Sequence, residues 1–496
     1  MGIGPAFGRT VPVSRTAVFR ALVRDHMLPT AIAVAPTDSC ATVVERMRQA
    51  KASSAIVTTP DGQLAGIVTE QDVCRRIAYQ AEARTPIDRV MSAPVETIQA
   101  DDYLYRAVAR MRRHDLRHMP VVDGNGAVLG NLELHRALAA ASAATVDLID
   151  RLTQEDDLSG LSSVKAAQVE VADALLHEGV AAPEVQALLA DVNLDIYRRV
   201  VRLSLGAMAA EGWGDPPLPF AVIVMGSGGR GESFLFPDQD NGFVLADYPD
   251  EDHDRIDRFY IELADRMTHG LDAVGIPFCK GNVMATNPVW RKSLSQWRVQ
   301  IAHWTRRRKD NMALLADIFF DFRCAVGDPS LARALRDFVT PLVKGNTGFL
   351  RALYEIEADH KVALGFFGRL APSKRDDGSA RINLKLQGTL PLVEGVRLLA
   401  LREGIVEHST LARIHALHAA GVLDGNEQDY LRGAFHHISF LLLREQIAAF
   451  QANRPVGNEI TPAGLTERER DMLVDALKAV RDLRGRVRAE FGGDYF

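Results

Sequence analysis

The chain reads as α/β in its first two thirds and α in its last. Two small sheet-and-helix units come first, then a small mixed-sheet domain with flanking helices, then a helical carboxyl-terminal domain. Three observations predict this. The first third aligns with itself at an ungapped offset of 64 residues. The middle holds a glycine-rich turn and an Asp-x-Asp set between two apolar runs. From about Asn346 onward, long helix-forming segments dominate. A chain of 496 residues is too long for one core, and boundaries are expected at 20–145, 146–345 and 346–496.

The repeat places Met27 on Met91, Met47 on Met111, Val57 on Val121, Gly62 on Gly126 and Gly66 on Gly130. Each copy reads strand, helix, strand, turn, strand, helix. In the first copy these are 31–35, 40–50, 54–58, the turn Pro60-Asp61-Gly62, 64–69 and 70–79. In the second copy the turn is Asp123-Gly124-Asn125-Gly126. Asp/Gly pairs between apolar runs are hairpin signals.

The middle begins with a helical pattern over 144–212, carried by Leu148, Leu152, Val164, Val169, Leu175 and Leu176. Gly212-Trp213-Gly214-Asp215-Pro216-Pro217 breaks it. Phe220–Val224 is a buried strand by its β-branched content. Met225-Gly226-Ser227-Gly228-Gly229-Arg230-Gly231-Glu232 follows. Its glycines let the backbone turn sharply and approach a ligand, leaving N–H groups free for phosphate oxygens. Next comes Pro237-Asp238-Gln239-Asp240-Asn241, leading into the apolar run 242–246. Residues two apart in extended chain share a face, so Asp238 and Asp240 present two carboxylates together. Two hard oxygen ligands beside a phosphate cradle make a divalent-metal site suited to phosphoryl or nucleotidyl transfer.

After this set, 252–274 predicts an amphipathic helix and 275–284 a third strand. Helix 293–304 directs Trp297 and Trp304 to the core. In Ile318-Phe319-Phe320-Asp321-Phe322-Arg323, the charged residues form either a polar pair facing away from a greasy side or a buried ion pair. Helices are then expected at 349–364, 389–403, 410–420, 427–453 and 466–491.

Composition narrows the classes. The net charge of −6 is mild, and no basic stripe argues for nucleic acid. Arg306-Arg307-Arg308-Lys309, the one dense basic cluster, reads first as a solvated helix face and second as a contact for a triphosphate or acidic partner. Cys40, Cys74, Cys279 and Cys324 form no C-x-x-C pair, so reduced thiols are expected rather than disulfides or zinc ligands. Residues 1–24 lack the apolar core of a signal peptide, and no stretch approaches the roughly 18–20 apolar residues of a membrane span. A cytoplasmic protein with no nucleic-acid or membrane partner is expected.

The Gly226–Glu232 and Pro237–Asp240 pattern resembles the nucleotidyltransferase superfamily, and within it the protein-PII uridylyltransferase type. The 64-residue repeat, with Gly66-Ile67-Val68-Thr69-Glu70-Gln71-Asp72 and Met119-Pro120-Val121-Val122-Asp123, resembles a tandem cystathionine-β-synthase (CBS) pair. Asn383-Leu384-Lys385, Leu399-Ala400-Leu401-Arg402, Thr410-Leu411-Ala412-Arg413 and Leu443-Arg444-Glu445-Gln446 resemble the substrate-binding-like helical domain of CBS-linked nucleotidyltransferases. Together these resemblances span nearly the whole chain.

They imply a signalling enzyme that moves a nucleotidyl group from NTP to a protein hydroxyl. Asp238 and Asp240 would bind Mg²⁺ or Mn²⁺. Gly226, Ser227 and Gly228 would hold phosphates, and Arg230 would stabilise triphosphate charge. Glu232 either joins this set, or only pairs with Arg230 or caps the short helix. The CBS pair would bind an adenosine nucleotide effector at Thr69 and Asp72, whose other reading is a helix-capping pair. The second copy carries Glu133 and Arg136 at those places, so one nucleotide per chain is expected. CBS stacking implies a homodimer. Active relatives add a third acid on the next core strand, but Lys280-Gly281-Asn282-Val283-Met284-Ala285 has none; Asp321 fills that role only if the fold brings it in. The alternative is a non-catalytic nucleotide sensor that keeps the fold as an interaction module.

Overall fold

The computed structural model describes residues 22–30, 32–78, 81–102, 104–139, 157–306, 318–358, 360–365, 368–374 and 379–492. The expected elements over 144–152, the residues 1–21 and 307–309 of the basic cluster lie outside them. The chain divides into two units, Met1–Gln154 and Glu155–Phe496.

In the amino-terminal unit each repeat builds one three-stranded sheet. The first holds β1 (Ala33–Val34), β2 (Ser54–Thr58) and β3 (Leu64–Thr69), with a helix at Cys40–Ala50. The second holds β4 (Ile98–Gln99), β5 (His118–Val122) and β6 (Val128–Glu133), with helices Leu104–Arg113 and Leu134–Ala139. Both sheets join a parallel pair to an antiparallel hairpin. Both hairpins shift register at the equivalent step, after Val57 and after Val121.

The repeated residues recur because the two copies exchange segments. Leu28 bridges Asn131 on β6, and Ser92 bridges Ile67 on β3. These are the same pairing, offset by one repeat. A Cβ at Gly66 would lie 2.3 Å from Met91 Sδ; one at Gly130 would meet Leu28 O at 2.5 Å and Met27 Sδ at 3.1 Å. The glycine of each copy thus leaves room for the lead-in of the other. The hairpin turns meet through the bridge Gln63↔Ala127.

In the second unit, helices Leu158–His177 and Ala182–Ala210 precede a four-stranded sheet of order β10-β7-β8-β9. Its strands are β7 (Phe220–Val224), β8 (Asn241–Leu245), β9 (Arg291–Ser293) and β10 (Arg323–Gly327). β7 is antiparallel to β8 and β10, and β9 is parallel to β8. Every residue of β7 and β8 is buried, which accounts for their unbroken apolar runs.

The strand expected over 275–284 is not one. Gly275 ends the His253–Val274 helix at φ 103°, Asn282 turns left-handed at φ 56°, and the segment is irregular. It serves the sheet by single bonds, Pro277 O and Val283 O accepting from Gln239 N and Asn241 N.

Leu294–Trp304 is capped by Ser293 and Gln296. Trp297 and Trp304 are buried, and Trp297 Nε1 donates to Phe243 O at 2.9 Å. Helices Pro329–Val343, Thr347–Glu357, Leu390–Glu403, Thr410–Ala419, Gly425–Gln451 and Glu467–Phe491 complete the unit, with a small sheet of β11 (Ser373–Lys374), β12 (Ala380–Asn383) and β13 (Glu459–Ile460). The helix expected to reach residue 364 stops at Glu357. One core runs from Ala221, Ile223 and Val244 of the sheet to Leu398, Leu441 and Leu477 of the helices. Among the described residues no helix is long and apolar enough to cross a membrane.

Candidate functional site

β7 ends at Val224, Met225 N donates to Asp240 O at 2.8 Å, and Gly226–Arg230 forms one short helical turn. Gly226 has φ 57°, and a Cβ there would lie 2.8 Å from Asp240 Oδ2. A Cβ at Gly229 would lie 1.6 Å from Asp321 O. These glycines are therefore required by close approach, one against the Asp-x-Asp set and one against the turn that leads into β10.

Asp238 and Asp240 flank Gln239 just before β8. Gln239 is fully buried, and its amide donates to Thr268 O at 2.8 Å and Ile276 O at 2.9 Å. That fixes the alternation: Gln239 points inward, and the two carboxylates share the opposite side. Burial pushes the Asp240 carboxyl up to about 6; a hydrogen bond from the Cys279 thiol opposes this, the Asp238 charge adds to it, and Lys385 and Arg230 pull it back. Burial and Asp240 in turn raise the Cys279 thiol to about 11. A half-buried carboxylate beside a second carboxylate has the chemistry of a cation ligand. Sequence reasoning took Cys279 for an ordinary thiol and gave Lys385 no role here; only the fold sets them near Asp240.

Arg230 faces inward. Its Nε donates to Glu232 Oε2 at 2.7 Å and its Nη1 to Asp321 Oδ2 at 2.7 Å. Burial opposes its charge, but Asp321 and Glu232 outweigh that and raise its pKa. Glu232 also accepts from Thr410 N and, at 3.1 Å, from Thr410 Oγ1. Asp321 is fully buried and pairs with three guanidiniums: Arg230 at 2.7 Å, Arg397 at 2.9 Å and Arg413 at 2.6 Å. Asp321 and Arg323 do not pair with each other: Asp321 is buried among these three arginines, and Arg323 lies 3.6 Å from Asp191. Among the described residues no three or more His, Cys, Asp or Glu side chains form a metal-binding cluster.

In the amino-terminal unit, Thr69 and Asp72 line a pocket of about 340 Å³ with Arg76, Ser92, Arg117 and His118. They also form a reciprocal cap: Thr69 N and Oγ1 donate to Asp72 Oδ2 at 2.9 and 2.8 Å, and Asp72 N donates back to Thr69 Oγ1. Ser92 Oγ donates to Asp72 Oδ1 at 3.3 Å. His118, from the other repeat, is lowered by burial despite the nearby Glu133 and Glu70.

Family models match four stretches of the chain. Residues 23–79 and 87–142 each match the CBS domain. Residues 166–311 match "Putative nucleotidyltransferase DUF294", and residues 347–491 match "Putative nucleotidyltransferase substrate binding domain". An uncharacterized protein of Methanopyrus kandleri is 28% identical over 97 residues, 19% of this chain and 50% of its own length. A homoserine O-acetyltransferase of Methanosphaera stadtmanae is 26% identical over 113 residues, 23% of this chain and 22% of its own. A CBS domain-containing protein of Bacillus subtilis is 29% identical over 119 residues, 23% of this chain and 84% of its own. The chain thus spans half the length of the first relative and about a fifth of the second. Among solved structures, a CBS domain protein from Pyrobaculum aerophilum complexed with AMP is 23% identical, covers 26% of this chain and 98% of its own, and has a TM-score of 0.24. CBS domains of a Streptococcus pneumoniae transcriptional regulator are 21% identical, cover 24% and 98%, and have a TM-score of 0.22.

Proposed function

We propose that this chain, which carries a tandem CBS pair, a DUF294 nucleotidyltransferase domain and the substrate-binding domain that goes with it, transfers a nucleoside monophosphate from NTP to a protein hydroxyl under the control of an adenosine nucleotide. The observation that carries this reading is the Asp238–Asp240 pair, on one side of the chain and against Gly226 of the glycine-rich turn. Asp238 and Asp240 would hold Mg²⁺ or Mn²⁺, which when bound neutralises phosphate charge. The raised Asp240 carboxyl fits this role, because a carboxylate whose charge is disfavoured by partial burial and by Asp238 gains from a cation. Gly226, Ser227 and Gly228 would place backbone beside the phosphates. Arg230 and Glu232 lock the turn to the helical domain through Asp321 and Thr410, and so orient it.

The sensor reading is favoured by a different observation. Asp321 is enclosed by three guanidiniums and is poorly placed to take a proton from an acceptor. On that reading the turn binds NTP without transfer. The CBS pair would bind one adenosine nucleotide at Thr69 and Asp72, the pocket mixing groups from both repeats. If the resemblance to protein-PII uridylyltransferases holds for function, the protein would act in signalling, and CBS stacking would make it a homodimer.

Incubation with each α-labelled NTP, Mg²⁺ or Mn²⁺ and cell lysate, followed by gel autoradiography, tests the enzyme. Label on a protein band, absent with Asp240→Asn, is expected. No label with any NTP, alongside metal-dependent NTP binding, would replace the enzyme by the sensor.

A further inference from the structure

We propose that a pocket in the carboxyl-terminal helices, separate from the Asp238–Asp240 site, binds the phosphate groups of a small phosphorylated ligand. The pocket holds about 680 Å³ between the Thr347–Glu357 and Glu467–Phe491 helices and the segment 360–364. That volume suits a ligand of nucleotide size. Among the described residues, every ionisable side chain lining it apart from Tyr354 is basic: His360, Lys361, Arg481, Arg484 and Arg488. The three arginines sit at i, i+3 and i+7, so one helical face delivers them together.

Arg484 forms the floor. Its guanidinium lies 5.9 Å from the centre of the Tyr354 ring, and Nη2 donates to Glu357 O at 2.6 Å. Nη1 is buried without a hydrogen-bond acceptor. The nearest carboxylate oxygens, on Glu357 and Glu394, stand off at 3.9 and 3.7 Å. Glu394 is held by His360 at 2.8 Å and Glu357 Oε1 by Arg397 at 3.0 Å, while Glu357 Oε2, the oxygen on the Arg484 side, makes no hydrogen bond. A buried donor without an acceptor costs free energy that an incoming phosphate oxygen would recover. Lys361, Arg481 and Arg488 are exposed at the rim, where Arg481 pairs with Asp482 at 2.9 Å, and they add positive charge around the same pocket.

The floor is also one end of a chain of ion pairs. Glu357 contacts Arg397, Arg397 contacts Asp321, and Asp321 contacts Arg230 of the glycine-rich turn. A ligand on Arg484 therefore acts on the charge network that holds that turn. Its binding does not depend on whether the turn catalyses.

Calorimetry on the full chain, free of divalent cations, with inorganic pyrophosphate, tripolyphosphate and ATP tests this. Each charge-assisted hydrogen bond lost corresponds to about tenfold or more in affinity. Lys361→Glu with Arg481→Glu, both exposed and so compatible with folding, should weaken pyrophosphate and tripolyphosphate at least about tenfold. Asp240→Asn should leave both unchanged. ATP binding tighter than tripolyphosphate, and sensitive to the same double variant, identifies a nucleotide; equal affinities identify free polyphosphate. The proposal is overturned if the wild type binds none of the three. It is equally overturned if the double variant binds like wild type, or if Asp240→Asn alone abolishes binding.

Discussion

Replacing Asp240 by Asn isolates the charge at the centre of the candidate site while keeping its shape. The carboxyl is raised from 3.8 to about 6, first by burial and then by Asp238 against the opposing Cys279 bond. A group raised in the folded state favours folding fully below its unfolded value, and that contribution is lost as pH rises through the folded one. Between about pH 4 and pH 6 the unfolded chain deprotonates first, and the native state falls behind. The difference of about two units corresponds to about 3 kcal/mol at most. Because the carboxyl is only half-buried, solvent screening makes about 1–3 kcal/mol the working range. Without metal at pH 8, Asp240→Asn should therefore be the more stable protein by that amount, and near pH 4 the two should coincide. Mg²⁺ should stabilise the wild type by neutralising the pair and leave the variant unmoved. Urea denaturation at pH 4, 6 and 8, in EDTA and in Mg²⁺, reads all of this. A variant less stable than wild type at pH 8 in EDTA, or one with an equal Mg²⁺ response, would refute the argument.

Asp321→Ala leaves three buried guanidiniums without their shared partner; it should cost about 3–5 kcal/mol, and a loss below about 1 kcal/mol in urea would show that the network is not a structural anchor. Gly130→Ala should destabilise the amino-terminal unit more than Gly66→Ala, because the new methyl meets the Leu28 carbonyl in one case and the movable Met91 thioether in the other; thermal melts giving the reverse order would contradict the exchanged packing. Asp72→Ala should lower affinity for AMP at least about tenfold by removing a charged acceptor from the pocket, with one nucleotide per chain in the wild type. Calorimetry finding two nucleotides, or an unaffected Asp72→Ala, would sink that site.

Where neighbours along the chain decide conformation, the sequence alone determined the outcome. Cys40–Ala50, Ser54–Thr58 and Leu64–Thr69 fall where their apolar period and the turn between them require. The alternation of Asp238, Gln239 and Asp240 needed only the period of extended chain. The 64-residue repeat likewise announced two like sheets. Other features depended on partners distant in sequence. β9 is Arg291-Lys292-Ser293, three polar residues that are a strand only because β8 lies beside them. The segment 275–284 looked more like a strand but serves the sheet through isolated carbonyls. Asp321 stands between phenylalanines in the chain, and nothing local says that arginines 76 and 92 residues further on will reach it. The pocket around Arg484 is the same case: the helix supplies a basic face, but the acids that leave Nη1 unsatisfied come from two other helices. Short-range preference is written along the chain, whereas the balance of buried charge is set by which segments the core brings together.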